Sequence, residues 1–235
     1  MHSRSLAALA VSVVAVVGAA APAHAVANLV QNGSFELDTV PAATFTAGHG
    51  RATLVSGNTQ LTNWSITGAV NLVQNYNAAL SNSWQSQAGN LSLQLTAAGG
   101  ISQTINTTIG LKYFVNFQMA GAPTIGLRSD LRGLTVSENG LNSQLYVFNA
   151  HGDTAPHMGW IPELYVFTAT SLHTVITFLG SQQGSGTNPT RTGLAALDNI
   201  FVSTPEPATW VMMLLGVGAI GGMVRRERRG ATLSV

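Results

Sequence analysis

Leu91-Ser92-Leu93-Gln94-Leu95-Thr96-Ala97-Ala98-Gly99-Gly100-Ile101-Ser102-Gln103-Thr104-Ile105 is the stretch from which the fold is read. Its first half alternates apolar and polar residues strictly, its second half does so loosely, and a Gly-Gly pair divides the two. Side chains of a strand point to opposite faces in turn, so the pattern is that of two half-buried strands, and the turn between them predicts a hairpin.

The same signal continues outward. From Tyr113 to Met119, residues Tyr113, Val115, Phe117 and Met119 share one face, with Phe114, Asn116 and Gln118 on the other. Weaker strand patterns cover Thr62–Ile66, Ala69–Val73, Gly133–Val136, Gln144–Phe148, Leu164–Thr168, Thr174–Phe178 and Leu197–Val202, and no amphipathic helix of useful length interrupts them. Roughly eight to ten short strands separated by Gly/Asn/Ser turns predict an all-β fold, a two-sheet antiparallel sandwich with jelly-roll winding. Two polar segments, 75–90 and 181–193, are longer than ordinary connections; such loops are functional or mobile.

Both ends of the chain carry addresses rather than fold. Arg4, the apolar stretch Leu6–Val17 and Ala23-His24-Ala25 make residues 1–25 a secretory signal peptide, cut before Val26. At the other end Pro205-Glu206-Pro207 precedes an uncharged, largely apolar run, Ala208–Val224, and then Arg225, Arg226, Glu227, Arg228 and Arg229. As a helix the run would span roughly 25 Å against a hydrocarbon core of about 30 Å. Arginines behind it resist translocation, so residues 230–235 are expected in the cytoplasm and the domain 26–204 outside.

Without these ends, five basic residues (Arg51, Lys112, Arg128, Arg132, Arg191) face seven acids, a net charge of −2, so the whole-chain charge of +1 is a property of the tails. So few cations release few counterions, which excludes a nucleic-acid partner. The chain has no cysteine, and with that go thiol nucleophiles, thiolate zinc sites and iron–sulfur clusters.

Pro-Glu-Pro, apolar run and arginine cluster, in that order, resemble the PEP-CTERM sorting signal of envelope-bearing bacteria, over Pro205 to Arg229. The resemblance implies recognition by exosortase, a membrane cysteine protease, and export through the inner membrane to the cell envelope, cell surface or extracellular matrix. The domain opens with Asn28-Leu29-Val30-Gln31-Asn32-Gly33-Ser34-Phe35-Glu36 and closes with Ala196-Leu197-Asp198-Asn199-Ile200-Phe201-Val202. These ends, with Asn63-Trp64-Ser65-Ile66 and Met158-Gly159-Trp160 between them, resemble the choice-of-anchor and DUF642 domains, which belong with galactose-binding-like jelly rolls. Related carbohydrate-binding modules hold a structural calcium where their first and last strands meet, which makes Glu36 and Asp198 the expected metal ligands; pairing of Glu36 with an arginine or its capping of a turn, and an Asx turn at Asp198-Asn199, are the competing reading.

Trp64 and Phe35 sit in strand-like pattern and are expected in the core. Trp84 and Tyr76 lie among Ser, Asn and Gln in the 75–90 segment, where an exposed ring can stack on a sugar, so they are the candidate glycan contacts. Catalytic patterns are missing: His49, His151, His157 and His173 are scattered, with no HExxH and no G-x-S-x-G elbow. The expected function is a non-catalytic exported protein that associates with exopolysaccharide or envelope glycan. Its alternative is a polysaccharide hydrolase using a carboxylate pair among Asp130, Glu138, Asp153 and Glu163.

Overall fold

A computed structural model describes residues 27–42, 45, 49–123, 131–181 and 193–205. The signal peptide 1–25, Glu206, Pro207, the run 208–224, the arginine cluster, the tail 230–235 and Asp130 lie outside the described residues. Among those described there is no α-helix.

Eleven strands follow one another as β1 (Arg51–Val55), β2 (Ser65–Thr67), β3 (Ala69–Gln74), β4 (Leu91–Leu95), β5 (Gly100–Asn106), β6 (Lys112–Gly121), β7 (Leu131–Glu138), β8 (Leu141–Asn149), β9 (Ile161–Thr168), β10 (His173–Ser181) and β11 (Gly193–Ser203). Antiparallel pairing builds one sheet in the order β1-β3-β4-β11-β6-β9. The other runs β2-β5-β10-β7-β8. The two sheets form a jelly-roll sandwich. Among the named strands described, the parallel pairing is made by the start of β11, where Gly193 and Leu194 lie beside Arg132 and Gly133 of β7 before the strand crosses to the first sheet.

The quoted stretch forms two strands but not a hairpin. β4 pairs with β3 and β11, while β5 pairs with β10 and β2, so residues 96–99 carry the chain from one sheet to the other. The glycines are needed for this passage: a side chain on Gly99 would meet the Ala69 carbonyl oxygen at 1.7 Å, and one on Gly100 the Phe178 carbonyl oxygen at 2.4 Å. Gly-Gly between alternating runs signals a turn, and a turn within a sheet looks the same in sequence as a passage between sheets. β1 carries only Ala52 and Leu54 inward and gave too short an alternation to be read.

Alternation elsewhere translates directly into core. Leu93, Val115, Phe117, Leu197 and Val202 from one sheet and Ile101, Leu134, Val136, Ile176 and Phe178 from the other are buried together. Five rings cross this interior in sequence: Phe35 to Trp64 at 6.0 Å, Trp64 to Phe178 at 6.4 Å, Phe178 to Phe117 at 5.3 Å and Phe117 to Tyr146 at 5.1 Å. Trp64 also donates its indole N–H to the Asn32 carbonyl at 2.9 Å, tying the opening segment to the core. Replacing Trp64 by Ala removes both the ring and that bond and should cost about 3–5 kcal/mol; denaturant unfolding measures it, and a loss below about 1 kcal/mol would contradict this packing.

Candidate functional site

The opening and closing motifs meet side by side. Leu29 N donates to Val202 O at 2.9 Å, Ile200 N donates to Gly33 O at 2.9 Å, and Asn28 accepts from Val202 N at 2.9 Å while donating to Ile200 O at 3.0 Å. Gly33 has no room for a side chain, since a Cβ there would lie 2.0 Å from the Ile200 carbonyl oxygen. The register between β11 and β6 shifts between Asp198 and Phe201, with one extra residue on β11, and Asn199 takes a left-handed φ of 49° in this bulge. Asparagine tolerates that conformation, which gives the Leu-Asp-Asn motif a backbone reason.

The bulge aims Asp198 at the 75–90 segment. Asp198 is fully buried; its Oδ2 accepts from Gln87 N at 2.9 Å and Ala88 N at 3.0 Å, and its Oδ1 from Asn199 N at 2.7 Å. Glu36 Oε1 accepts from Asn90 N and Leu91 N, both at 2.8 Å. Between them Gly89 sits at φ +64°, where a Cβ would come within 2.5 Å of the Glu36 carboxyl. Both acids thus hold one loop by its backbone.

Burial pushes the Asp198 carboxyl up to about 7, against the N–H bonds from Ala88, Asn199 and Gln87, and the nearby Glu36 charge adds to the rise. A folded pKa above the ordinary 3.8 stabilises the fold most at low pH, and that contribution fades as pH rises from about 4 through about 7. Thermal unfolding should therefore show stability falling by a few kcal/mol across this window, and Asp198→Asn, which removes the titrating group, should flatten the fall. A stability that instead rises from pH 4 to pH 7 would overturn the assignment.

Trp84 is not the exposed platform that its polar neighbours predict. It is 4% exposed, donates its indole N–H to Ser92 Oγ at 2.8 Å and lies on the outer face of β4, which the loop covers. Val73 and Ser92, outward by alternation, are buried by the same cover. A buried indole has no face to offer a sugar. Trp84→Ala should destabilise the domain by about 3–5 kcal/mol, comparably to Trp64→Ala; retention of wild-type stability would place the ring in solvent after all. Tyr76 does stand out, at 42% exposed.

Beside the covered face lies an open cleft of about 510 Å³, lined by Gln85, Ser86, Gln87, His157, Gly159 and Trp160. Its two walls are stitched together: Gln85 N donates to Ala155 O at 2.7 Å, Met158 N to Gln85 Oε1 at 3.3 Å, and Trp160 Nε1 to Gln85 O at 2.8 Å. Trp160 is half-buried, so its edge is anchored while part of the ring remains accessible. Behind Gly159, whose Cβ would lie 2.8 Å from Asp153 Oδ1, sits the Asp153 carboxylate. Asp153 Oδ2 and Ser86 Oγ are buried without a hydrogen-bond partner, and burial raises the Asp153 pKa. Sequence reasoning placed Met158-Gly159-Trp160 in the family pattern but did not single out Trp160; only the docking of the two loops puts it opposite Gln85–Gln87.

Other acids of the hydrolase reading lie elsewhere. Glu138 is buried and accepts from the Tyr165 hydroxyl and the Asn142 amide. Glu163 is half-buried on β9, where desolvation raises its pKa; burial, with a smaller addition from the Glu163 charge, pushes Tyr146 up to about 12. Neither lines the cleft.

Fold and cleft together define an all-β sandwich domain with a lateral, aromatic-walled polar cleft. The chain belongs to the family described as "Protein of unknown function (DUF642)", whose model matches residues 28–203; a PEP-CTERM protein-sorting motif matches residues 203–229 and marks the protein for export to the cell envelope or surface. No curated protein matches the chain. Among solved structures, it is similar to the carbohydrate-binding module TmCBM61, in complex with β-1,4-galactotriose, at 14% identity and a TM-score of 0.39, over 76% of this chain and 99% of that one. It is also similar to the xylan-binding domain CBM22-1 from Paenibacillus barcinonensis Xyn10C, at 15% identity and a TM-score of 0.36, over 68% and 97% of the two chains. A family 35 carbohydrate-binding module from Clostridium thermocellum aligns at 15% identity and a TM-score of 0.38, over 64% and 97%.

Proposed function

We propose that this protein is a non-catalytic component of the cell envelope or extracellular matrix that holds exopolysaccharide or envelope glycan in the cleft between Gln85–Gln87 and His157–Trp160. One observation carries the reading: an indole fixed at its N–H and accessible on its ring stands over an open polar cleft walled by Gln85, Ser86, Gln87 and His157. Sugars offer what such a cleft can use, C–H faces for the ring and hydroxyls for its polar walls. Amides of Gln85 and Gln87 supply further donors and acceptors. The cleft's volume falls in the range of about 300–1,000 Å³ usual for small-ligand sites, enough for a short run of sugar units.

An exosortase-type membrane protease is the processing partner, meeting the chain at Pro205-Glu206-Pro207 while the apolar run 208–224 sits in the membrane. The structural calcium expected at Glu36 and Asp198 fits these residues poorly. Such an ion takes roughly six to eight oxygens, and the two carboxylates already accept five backbone N–H groups, from Gln87, Ala88, Asn90, Leu91 and Asn199. In this reading the amides do the neutralising and the clasp is metal-free.

Retention in polysaccharide-containing gels tests the proposal. Trp160→Ala should weaken retention about tenfold, equivalent to about 1.4 kcal/mol, in a protein that still unfolds cooperatively, with a melting temperature lowered by loss of the indole's contacts to Gln85 and the core. Unaltered retention would move the site away from this cleft. Release of reducing ends that Asp153→Asn abolishes would replace the binding reading with the hydrolytic one.

A further inference from the structure

Four of the most exposed large aliphatic side chains gather at one end of the sandwich. Ile109 (61% exposed) and Leu111 (48%) lie in the β5–β6 connection, Leu141 (59%) follows the β7–β8 turn, and Leu172 (61%) lies in the β9–β10 connection. These connections form one unit. Thr107 N donates to Leu172 O at 2.8 Å, Gly110 N to Ala169 O at 2.8 Å, and Ala169 N to Leu111 O at 2.9 Å. Asn139 joins them through its N–H to Val175 O at 2.8 Å and its side-chain oxygen to Val175 N at 2.9 Å. Isolated exposed leucines are ordinary, but a braced group of loop tips that each present an exposed large aliphatic side chain is less so, because those side chains gain nothing from water.

The chain leaves the domain at this same end. Ser203, the last residue of β11, pairs with Phe114, two residues from Lys112 at the start of β6. Between Ser203 and the apolar run at Ala208 stand only Thr204, Pro205, Glu206 and Pro207. Even fully extended, five residue steps span at most roughly 18 Å. A bilayer's interfacial zone is itself about 5–8 Å deep on each side of the hydrocarbon. While the run is in the membrane, the tips cannot stand far from lipid.

We infer that this end of the sandwich is a lipid-docking surface, with Ile109, Leu111, Leu141 and Leu172 seated in the headgroup region of the membrane that holds the 208–224 segment. Charge agrees with that partner. Residues 107–111, 139–142 and 169–173 contain no acid, and Lys112, the chain's sole lysine, is exposed among them. Glu138, which ends β7 there, is buried and holds the Tyr165 hydroxyl. A lysine stem lies along apolar surface while its ammonium meets anionic lipid. The consequence is orientation. β9 runs from Ile161, next to Trp160, to Thr168 at the docked end, and its eight residues extend about 25 Å. Until the tail is processed, the glycan cleft is thereby held off the bilayer and turned outward.

This inference rests on the reading of 208–224 as a membrane anchor and not on the glycan cleft. The full chain, which has no native cysteine, would be reconstituted into phosphatidylethanolamine/phosphatidylglycerol vesicles as Ile109→Cys, Leu172→Cys or Thr154→Cys, each carrying one environment-sensitive fluorophore. Labels at 109 and 172 should lose most of their emission to brominated acyl chains, at a depth of about 5–10 Å, and resist aqueous iodide. The label at 154, at the cleft end, should do the reverse. Labels at 109 and 172 as open to iodide as the one at 154 would overturn the inference. Shielding from iodide without quenching by brominated lipid would also overturn it, and would assign the tips to a second copy or another protein. If the unsubstituted chain fails to float with the vesicles, the anchor reading falls, and this one with it.

Discussion

A buried carboxylate that accepts three backbone N–H groups is the constraint on which the arrangement of this domain depends. Asp198 can reach Gln87 and Ala88 only because β11 bulges at Asn199, and the bulge persists because the opening segment is hydrogen-bonded across it. Glu36 then takes the next two free amides of the same loop. Residues far apart in the chain thus meet on one stretch of backbone. Burying a carboxylate is costly even with three N–H donors, and the upward shift at Asp198 records chiefly that desolvation, with a smaller addition from the Glu36 charge.

What the clasp secures is the cover over the first sheet. Outer faces of sandwich sheets are ordinarily polar, yet Val73, Ser92 and Gln94 are buried here, because the 75–90 segment lies over them with Trp84 as its plug. Gln85 continues the cover into the 150–160 connection through three hydrogen bonds, and the cleft forms at that junction. The cleft's shape therefore depends on a loop whose own hold is electrostatic and pH-sensitive. Structure and site are coupled through the five residues from Gln87 to Leu91.

Strand positions were legible because period-two alternation is a local property, and core membership followed from it, as Trp64 and Phe35 illustrate. Connectivity was less so: residues 96–99 look the same whether they close a hairpin or pass between sheets, and only the carbonyls of Ala69 and Phe178 pressed against Gly99 and Gly100 distinguish the cases. Glu36 and Asp198 were readable as a pair, but their partners were not, since backbone amides carry no sequence signature. Trp84 was misread for a related reason. Its neighbours in sequence are polar, whereas its partner Ser92 belongs to a strand face that a free sheet would leave in water. Trp160 came into view only with the pairing of two loops about 75 residues apart, a distance at which chain-local patterns carry no information.

The domain is also polar along its length, in the sense that its two ends differ in chemistry. At one end of β9 lie Gln85, Ser86, Gln87, His157 and Trp160, a hydrogen-bonding cleft with one ring; at the other lie Ile109, Leu111, Leu141 and Leu172 with a single lysine. Folding stability requires neither feature, because the oxygen of Ser86 in the cleft wall and that of Asp153 behind it are left buried and unpaired and the tips leave aliphatic surface in water, each a cost the sandwich could have avoided. Costs of opposite kind at opposite ends are what a molecule placed between two media would carry. In the lipid-docking reading, the exit of β11 among the aliphatic tips, five residues before an apolar run, sets which end faces which medium.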